Sequence, residues 1–439
     1  MKILVLTNLF PPHHAGTFDF RCESVSEALK QRGHEVRVLT SNYGLHTEQR
    51  DAEIERRLLL NGHFDQPLKT GWREVRKLEA WNHQIVRETV ADFQPALIHV
   101  WSLQGLSKSL IFTLRHSRLP TVYDVADDWL CAGLREDPWL RWWNREKAPY
   151  FSGLWRRCLE LAGQRDKLDV VAPTRMMKGY DRVPAVFGPP EAQDNVQPNS
   201  IGAFPFDRLY FCSQALKAKT EQAGFRVGHA EVFYPGIRTD LFFGEVKPMK
   251  ASVKKFLIVT RLRKESGVMT ALEALRLARD HTVQISLNIY GRGESDYMAQ
   301  LRSFVVQHQL PVEFLTVSNQ TRDLAAVYRQ HDAFLHTSEW DEPFAATPLE
   351  AMACGLPVVG TRSGGARELL RHGENALTYR PGDCLELASR MQELQMQPAL
   401  RCQMAETAQM EVITKFNESA VVDQIENYLG TSLEIWQRQ

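Results

Sequence analysis

Two glutamates lie eight residues apart in the segment SEWDEPFAATPLEAMACGLPVVGT, which runs from Ser338 to Thr361. Glu342 falls in a polar loop, and Glu350 falls in the apolar stretch that follows it. The pattern predicts a loop, a helix of about two turns, a turn and a strand. A purely structural segment would not need a carboxylate in the loop, so this loop is a candidate binding element.

The start of the predicted helix is a candidate anion site. Thr347 and Pro348 favour a helix N-terminus, with the threonine as N-cap and the proline at the first helical position. Backbone N–H groups of the first turn would then point at an anion. Two simpler interpretations stay open. Glu350 could cap the helix by accepting a hydrogen bond from the Thr347 N–H, and Glu342 could be a solvated loop residue.

Three other loops follow predicted strands and contain residues suited to a ligand. Arg261 and Lys264 precede a predicted helix start, where cations are unfavourable unless an anion lies nearby; a solvated basic turn would also account for them. The sequence YGRG, which contains Gly291, is weak on its own because a tight turn also explains it. His13 and His14, in FPPHHAGT, could contact substrate, although adjacent loop histidines are more often solvated.

Length and composition indicate a soluble protein of two domains. The chain has 439 residues, and two domains of about 200 residues are the natural division. Lys plus Arg equals Asp plus Glu at 53 each, so no overall field attracts nucleic acid or an anionic membrane. The seven cysteines show no C-x-x-C spacing, which favours a reducing compartment. With no signal-peptide pattern and no stretch of roughly 20 apolar residues, the sequence predicts a cytoplasmic protein.

The element pattern predicts α/β architecture with two Rossmann-like domains. Short β-branched runs alternate with helical periods, which is typical of parallel sheets. In the second half, strands are predicted at Phe256–Thr260, Gln284–Tyr290, Val312–Thr316, Ala333–Thr337, Pro357–Gly360 and Ala376–Tyr379. A change of texture near residues 234–252 predicts a linker, so the domains are placed at residues 1–235 and 236–417. In such sheets, ligands bind at the carboxyl ends of the strands.

Taken together, these segments resemble a known family. The run E-P-F-x5-E followed by A-M-A-C-G-L-P-V-V is similar to the E-x7-E signature of retaining nucleotide-sugar glycosyltransferases of the GT-B fold, family four. KILVLTNLFPP, VFYPGIRTDLF, TRLRKESG, YGRG and SGGARELLRHGENAL resemble that family's sequence blocks in the same order. The resemblance covers nearly the whole chain, and the set of blocks is specific where no single one would suffice.

The resemblance implies a fold and a donor site. Two Rossmann-like domains would face a central cleft, with the acceptor on the N-terminal domain, the donor on the C-terminal domain, and a helix of residues 418–439 crossing back. Glu342 would bind hydroxyls of the donor sugar, Glu350 the ribose, and Arg261 the diphosphate. The donor-binding set implied by the resemblance is Gly16, Arg261, Lys264, Gly291, Glu342, Phe344, Ala345, Ala346, Thr347 and Glu350. Such enzymes retain anomeric configuration and generally need no metal, so no cofactor is expected beyond the donor substrate.

The chain departs from the family pattern at three places. Ser266 stands where the family has a lysine, which Lys264 could replace, and the usual Gly-Gly of the N-terminal loop is Ala15-Gly16. Most seriously, Ala126 stands where the family often has a histidine. The flanking residues Asp124, Asp127 and Asp128 are therefore candidates for the reacting centre, with Asp127 as the catalytic one, beside Glu342 and Arg261, and the other two for acceptor binding. Three neighbouring aspartates could also bind a metal ion, but acidic side chains at the end of a strand are more often simply solvated.

An insertion at residues 135–167 is rich in tryptophan and basic residues. It contains Trp139, Trp142, Trp143 and Trp155. Such side chains suit a membrane interface, a lipid-linked acceptor or sugar stacking, but they could equally be buried against the N-terminal domain. A peripheral contact with the inner face of the membrane therefore stays open, whereas nucleic acid is not expected for a neutral chain.

The resulting hypothesis is a retaining glycosyltransferase that moves a sugar from a nucleotide-diphosphate sugar to a glycan, lipid-linked or small-molecule acceptor. Two alternatives stay open. A sugar-nucleotide epimerase of the same fold would turn over without an acceptor and release no free nucleotide diphosphate. A non-catalytic sugar-nucleotide-binding protein, suggested by Ala126 and Ser266, would bind the donor without transfer or hydrolysis.

Overall fold

The computed structural model describes residues 1–13, 17–45, 49–50, 53–62, 68–69, 71–131, 137, 154, 158, 208–223, 225, 227–228, 230–279, 285–315 and 321–438. The chain divides into two compact units. Unit 1 comprises Met1–Phe233 with Val422–Gln439, and unit 2 comprises Tyr234–Val421. Apart from three single residues, the tryptophan-rich insertion lies outside the described residues.

Unit 1 is built on a sheet whose described strands have the order β3-β4-β2-β1-β5-β6-β7-β8. The pairs are parallel except β3 with β4. The strands are β1 Lys2–Leu6, β2 Glu35–Ser41, β3 Gln49–Arg50, β4 Ile54–Leu58, β5 Leu97–Val100, β6 Thr121–Val125, β7 Arg208–Phe211 and β8 Glu231–Val232. The helices are α1 Thr17–Gln31, α2 Trp72–Phe93, α3 Leu110–His116 and α4 Gln214–Gln222.

Unit 2 has a sheet of order β11-β10-β9-β12-β13-β14 in which every pair is parallel. The strands are β9 Lys255–Val259, β10 Ser286–Tyr290, β11 Val312–Leu315, β12 Ala333–His336, β13 Val358–Thr361 and β14 Leu377–Tyr379. The helices are α5 Val268–Arg279, α6 Ser295–Gln307, α7 Thr321–Arg329, α8 Ala346–Ala353, α9 Ala366–Leu369, α10 Cys384–Met396 and α11 Pro398–Lys415. A last helix, α12 Glu418–Gln437, begins in unit 2 and continues in unit 1.

Strand β12 shows how the core of unit 2 is organised. Ala333 and Leu335 belong to one buried cluster and Phe334 to another, because successive side chains of a strand point to opposite faces. All four residues of the strand are buried. Apolar strands of this kind require helices on both faces of the sheet, and the predicted architecture of two Rossmann-like α/β domains is confirmed.

No helix within the described residues is long and apolar enough to cross a membrane.

Glycines join the loops that follow four adjacent strands, β10, β9, β12 and β13. A Cβ atom at Gly291 would overlap the carbonyl oxygen of Thr260, and one at Gly267 would overlap that of Thr337. Gly364 approaches the backbone of Glu342 in the same way. Because only a hydrogen fits at each of these positions, the loops lie backbone against backbone along the carboxyl edge of the sheet.

The close contact at Gly267 predicts that a side chain there lowers the free energy of unfolding, in addition to the effect of backbone strain. Gly267 and Gly382 both have a φ in the left-handed region, +68° and +76°, but no atom of the part of the chain that the structure describes lies within 4 Å of a Cβ at Gly382. We expect Gly382→Ala to lower the free energy of unfolding by about 1 kcal/mol through strain alone. We expect Gly267→Ala to lower it by about 1–3 kcal/mol more through overpacking.

Urea unfolding of the full chain, followed by fluorescence and circular dichroism, measures both variants. Equal destabilisation by the two substitutions would contradict the close approach of the two loops.

Candidate functional site

The loop between β12 and α8 is held by its backbone. The N–H of Glu342 donates to the carbonyl of Trp340 at 2.9 Å, and the Glu342 carbonyl accepts from the N–H of Gly365 at 2.8 Å. Asp341 adds a side-chain contact, since its Oδ1 accepts from the N–H of Gly364 at 2.7 Å. The side chain of Glu342 is half-buried. The loop therefore presents this carboxylate from a fixed backbone.

Helix α8 begins two residues earlier than the sequence predicts. Its N-cap is Ala345, with φ −91° and ψ 97°, and the side chain of this residue makes no capping hydrogen bond. The prediction of Thr347 as N-cap is therefore wrong. Ala345 is only 1% exposed, so core packing fixes the extended residue there and overrides the threonine's capping preference. Pro348 is tolerated in the first turn because its missing N–H would have had no helical partner.

Glu350 does not cap the helix. Its Oε2 accepts a hydrogen bond of 2.6 Å from the hydroxyl of Tyr328 on α7, and both side chains are buried. Burial raises the pKa of Glu350 to about 7, although the Tyr328 hydrogen bond opposes that shift. The capping-box interpretation is excluded, because the helix starts before Thr347 and the carboxylate is engaged elsewhere.

The first turn of α8 offers backbone donors. Its leading N–H groups, including those of Ala346 and Thr347, have no partner within the helix and lie at the positive end of its dipole. Phe344 contributes only backbone here, because its ring packs 5.7 Å from that of Tyr234 and 6.3 Å from that of Phe416. This turn is suited to an anion.

Two cationic side chains follow β9. Arg261 and Lys264 are both exposed, and Lys264 opens a 3₁₀ turn, Lys264–Ser266. Ser266, which stands where the resemblance leads one to expect lysine, is buried and uses its hydroxyl inside the turn. It donates to the carbonyl of Arg263 at 2.5 Å and accepts from the Arg263 N–H at 3.4 Å. Ser266 therefore shapes the loop rather than adding a charge to it.

Gly291 and Gly293 have a packing reason to be glycine. A Cβ at Gly293 would overlap the carbonyl of Leu262, and the N–H of Leu262 donates to the carbonyl of Arg292 at 2.8 Å. The loop after β10 is thus bonded to the loop that carries Arg261. Gly291 supports the basic loop, which the tight-turn interpretation alone does not explain.

The structure brings most of the unit 2 candidates to one edge of the sheet. Arg261, Lys264, Gly291, Glu342 and residues 344–347 all lie in loops or a helix start that follow strands β9, β10 and β12, which are neighbours. Glu350 lies one turn further along α8, with its carboxylate turned to α7. This edge combines two exposed cationic side chains, backbone donors and one half-buried carboxylate.

The candidates in the N-terminal loop of unit 1 are only partly described. His13 is half-buried, pairs with Phe10 in an isolated bridge, and its imidazole lies against the backbone of Gly44. The predicted site residues His14 and Gly16 lie outside the described residues.

Asp127 is held in a defined orientation after β6. Its Oδ2 accepts from the hydroxyl of Ser102 at 2.9 Å, and its Oδ1 accepts from the N–H of Trp129 at 2.7 Å. Burial raises the pKa of Asp127 to about 6 despite these two bonds, while the residue as a whole is half-buried. An oriented carboxyl group that titrates near pH 6 can act on a substrate hydroxyl.

The two flanking aspartates have different surroundings. Asp124 is fully buried, 3.2 Å from the guanidinium of Arg21, and burial raises its pKa to about 6 against the effect of that charge. Asp128 forms an ion pair of 2.9 Å with Lys219 on α4. The three carboxylates thus face three different partners, and the described residues contain no group of three or more ligands that could hold a metal ion.

Two residues near the site carry no sequence signal. Tyr328 bonds Glu350, and His336 at the end of β12 is buried with no hydrogen-bond partner for its Nε2 within the described residues. Burial lowers the pKa of His336, and the charge of Glu342 opposes this. Neither residue belongs to a motif, so only the folded chain reveals them.

Solved structures share this architecture. Sucrose-phosphate synthase from Thermosynechococcus elongatus superposes with a TM-score of 0.67 at 17% identity, over 98% of each chain. HepE from Anabaena, solved in complex with UDP-glucose, has a TM-score of 0.65 at 19% identity, over 98% of this chain and 100% of that chain. At these identities the likeness concerns the fold, which is GT-B.

Family models match both units. Residues 243–411 match the model for glycosyl transferases group 1, and residues 19–173 match the glycosyl transferase 4-like domain. The chain is a GT-B glycosyltransferase. Over its whole length this glycosyltransferase is 24% identical to the uncharacterized glycosyltransferase MJ1607 of Methanocaldococcus jannaschii, all of which is covered. It is also 29% identical to glycogen synthase of Mycobacterium tuberculosis over 49% of this chain and 52% of that protein.

The raised pKa of Glu350 predicts a pH dependence of stability. The folded protein holds this proton up to a pH of about 7, whereas the unfolded chain loses it near its ordinary pKa of about 4.3. The stabilisation by the neutral form is therefore fully present below about pH 4 and is lost as the pH rises through 7. This loss amounts to up to about 3 kcal/mol.

Glu350→Gln keeps the shape and cannot titrate, so we expect it to reduce the loss of stability between pH 5 and pH 8. Urea midpoints at both pH values measure this, with Glu406→Gln at an exposed position as the control. An identical pH dependence in wild type and Glu350→Gln would contradict the assigned shift.

Proposed function

We propose that this protein is a retaining glycosyltransferase of family four that uses a nucleotide-diphosphate sugar as donor. The observation that carries the proposal is the edge of unit 2 where Glu342 and the first turn of α8 adjoin the basic loop after β9. A sugar bears hydroxyl donors and a diphosphate bears negative charge, so this pairing of a carboxylate with cations and N–H groups suits both ends of such a donor.

The same groups account for the chemistry. Transfer separates an oxocarbenium-like sugar from a diphosphate that gains negative charge, and preorganised positive groups at the leaving group lower that barrier. Arg261, Lys264 and the N–H groups of Ala346 and Thr347 supply this stabilisation. We therefore expect the reaction to need no bound metal or other cofactor, because these groups would supply the positive charge at the leaving diphosphate.

The two glutamates bind different parts of the donor. Glu342 is half-buried and accepts hydrogen bonds from the sugar hydroxyls. Glu350 lies deeper and accepts from the ribose of the nucleotide. The relatives support a donor of this class, since HepE was solved with UDP-glucose and a glycosyltransferase matches the whole chain.

Unit 1 binds the acceptor in this proposal. Asp127 takes the place at the reacting centre that Ala126 leaves unfilled, with its carboxylate aimed by Ser102 and Trp129. It accepts a hydrogen bond from a hydroxyl of the reacting sugars. The acceptor is a glycan, a lipid-linked sugar or a small molecule.

The first test is donor binding and transfer. UDP-, GDP- and ADP-glucose, and the corresponding galactose and mannose donors, are screened by melting temperature, and each donor that binds is incubated with acceptor mixtures. We expect stabilisation by one nucleotide class and acceptor-dependent release of its nucleoside diphosphate. Glu342→Gln should reduce transfer by about 10- to 100-fold, the scale of a lost hydrogen bond to a charged group. Glu313→Gln, at an exposed position on β11, is the control.

The alternatives give different outcomes in this assay. Conversion of the donor sugar without acceptor and without released diphosphate would indicate an epimerase. Binding without any turnover would indicate a non-catalytic protein. If no sugar nucleotide binds, or if Glu342→Gln transfers at the wild-type rate, the proposal is wrong.

A second prediction concerns Asp127. If its ionised form contacts the reacting sugars, transfer should rise as the pH increases through about 6, the pKa of this group. Asp127→Asn should lower the transfer rate by about 100-fold and remove that pH limb. Affinity for the nucleoside diphosphate should not change, because Asp127 is not among the residues proposed to contact the diphosphate.

Asp92→Asn serves as the control, since Asp92 forms an exposed ion pair with Arg37. A pH–rate profile of Asp127→Asn that still shows the limb near 6 would assign the titration to another group.

A further inference from the structure

Tyr328 occupies a rigid position beside the candidate donor site. It lies near the end of α7 and is completely buried. Its ring centroid is 5.6 Å from that of Phe334 on β12 and 6.0 Å from that of Phe242. These apolar contacts fix the ring, so the hydroxyl has a defined location.

That hydroxyl contacts α8 at the level of its first turn. It donates to Oε2 of Glu350 at 2.6 Å, and the carbonyl oxygen of Thr347 lies 3.4 Å away. The bond engages one carboxylate oxygen. The second oxygen keeps its lone pairs for another donor.

We propose that Tyr328 is a positioning residue for the donor, in that its hydroxyl fixes the orientation of Glu350 so that the free carboxylate oxygen accepts hydrogen bonds from the ribose hydroxyls of the nucleotide. This inference rests on the proposed function. Tyr328 does not touch the nucleotide; it acts through Glu350.

The charge state of Glu350 follows from the same contact. Burial raises the pKa of Glu350 and the Tyr328 hydrogen bond lowers it. Other ionisable groups around the pair are Cys354 after α8, Arg329 beside it, and Tyr290 at the end of β10. Loss of the tyrosine hydroxyl therefore shifts the pKa of Glu350 further upward. The protonated carboxyl is a poorer acceptor for ribose hydroxyls at neutral pH.

Calorimetric titration of the full chain with UDP, GDP and ADP between pH 6 and pH 9 tests this inference. For the nucleotide that wild type binds, affinity should rise with pH and level off above about 7. Tyr328→Phe keeps the ring contacts. Its affinity at pH 7 should fall by about 10-fold, and the pH at which its affinity levels off should move upward by about one unit.

Two further variants separate positioning from packing. Tyr379→Phe removes a buried hydroxyl that has no hydrogen-bond partner among the described residues, and it should leave the pH profile unchanged. In a Glu350→Ala background, Tyr328→Phe should have no additional effect on affinity, because the side chain through which it acts is absent. A purely structural tyrosine would weaken binding equally in both backgrounds.

The outcomes distinguish this inference from the proposed function. If wild type binds none of the three nucleotides, the proposed function fails. If wild type binds but Tyr328→Phe has the same affinity and pH profile, or an equal loss at every pH, the positioning role is wrong. Should Tyr328→Phe not fold, wild-type titrations at pH 7 in buffers of different ionisation enthalpy decide instead. Proton release on binding, absent in Glu350→Gln, is expected, and its absence in wild type would overturn the inference.

Discussion

The candidate donor site at the carboxyl edge of the unit 2 sheet depends on backbone-to-backbone contact between loops. Gly267 lies against Thr337, Gly291 against Thr260, and the glycine after β13 against the loop of Glu342. Side chains at these points would push the loops apart, so the glycines allow the loops after β10, β9, β12 and β13 to lie close together. Because backbone contacts hold these loops together, the side chains of Arg261, Lys264 and Glu342 are not needed for that purpose.

This construction lets residues of one type serve different purposes. Glu342 and Glu350 belong to one sequence signature, yet the first is half-buried on a fixed loop and the second is buried against Tyr328. Desolvation raises the pKa of Glu350 to about 7. Its charge is therefore sensitive to the groups around it.

The sequence predicts the fold well because strand and helix periods are local signals. The strand predicted at Ala333–Thr337 is β12 within one residue, and Thr347 with Pro348 predicts the start of α8 within two residues. The exact N-cap is missed because burial of Ala345 depends on tertiary packing. The bonds from Tyr328 to Glu350 and from Ser102 to Asp127 join residues 22 and 25 positions apart. Contacts between residues this far apart produce no periodic pattern in the sequence, so they cannot be predicted from one sequence.

The aspartates of unit 1 show how surroundings select one group among similar ones. Asp124 forms an ion pair with Arg21 in the interior, and Asp128 forms an ion pair with Lys219 nearer the surface. Asp127 alone among the three accepts only neutral donors, from Ser102 and Trp129, in the bonds described. Burial raises its pKa to about 6, although both bonds and the charge of Lys108 oppose this shift. A carboxylate with this pKa can take over a position that a histidine would otherwise fill, because both groups change charge in the same pH range.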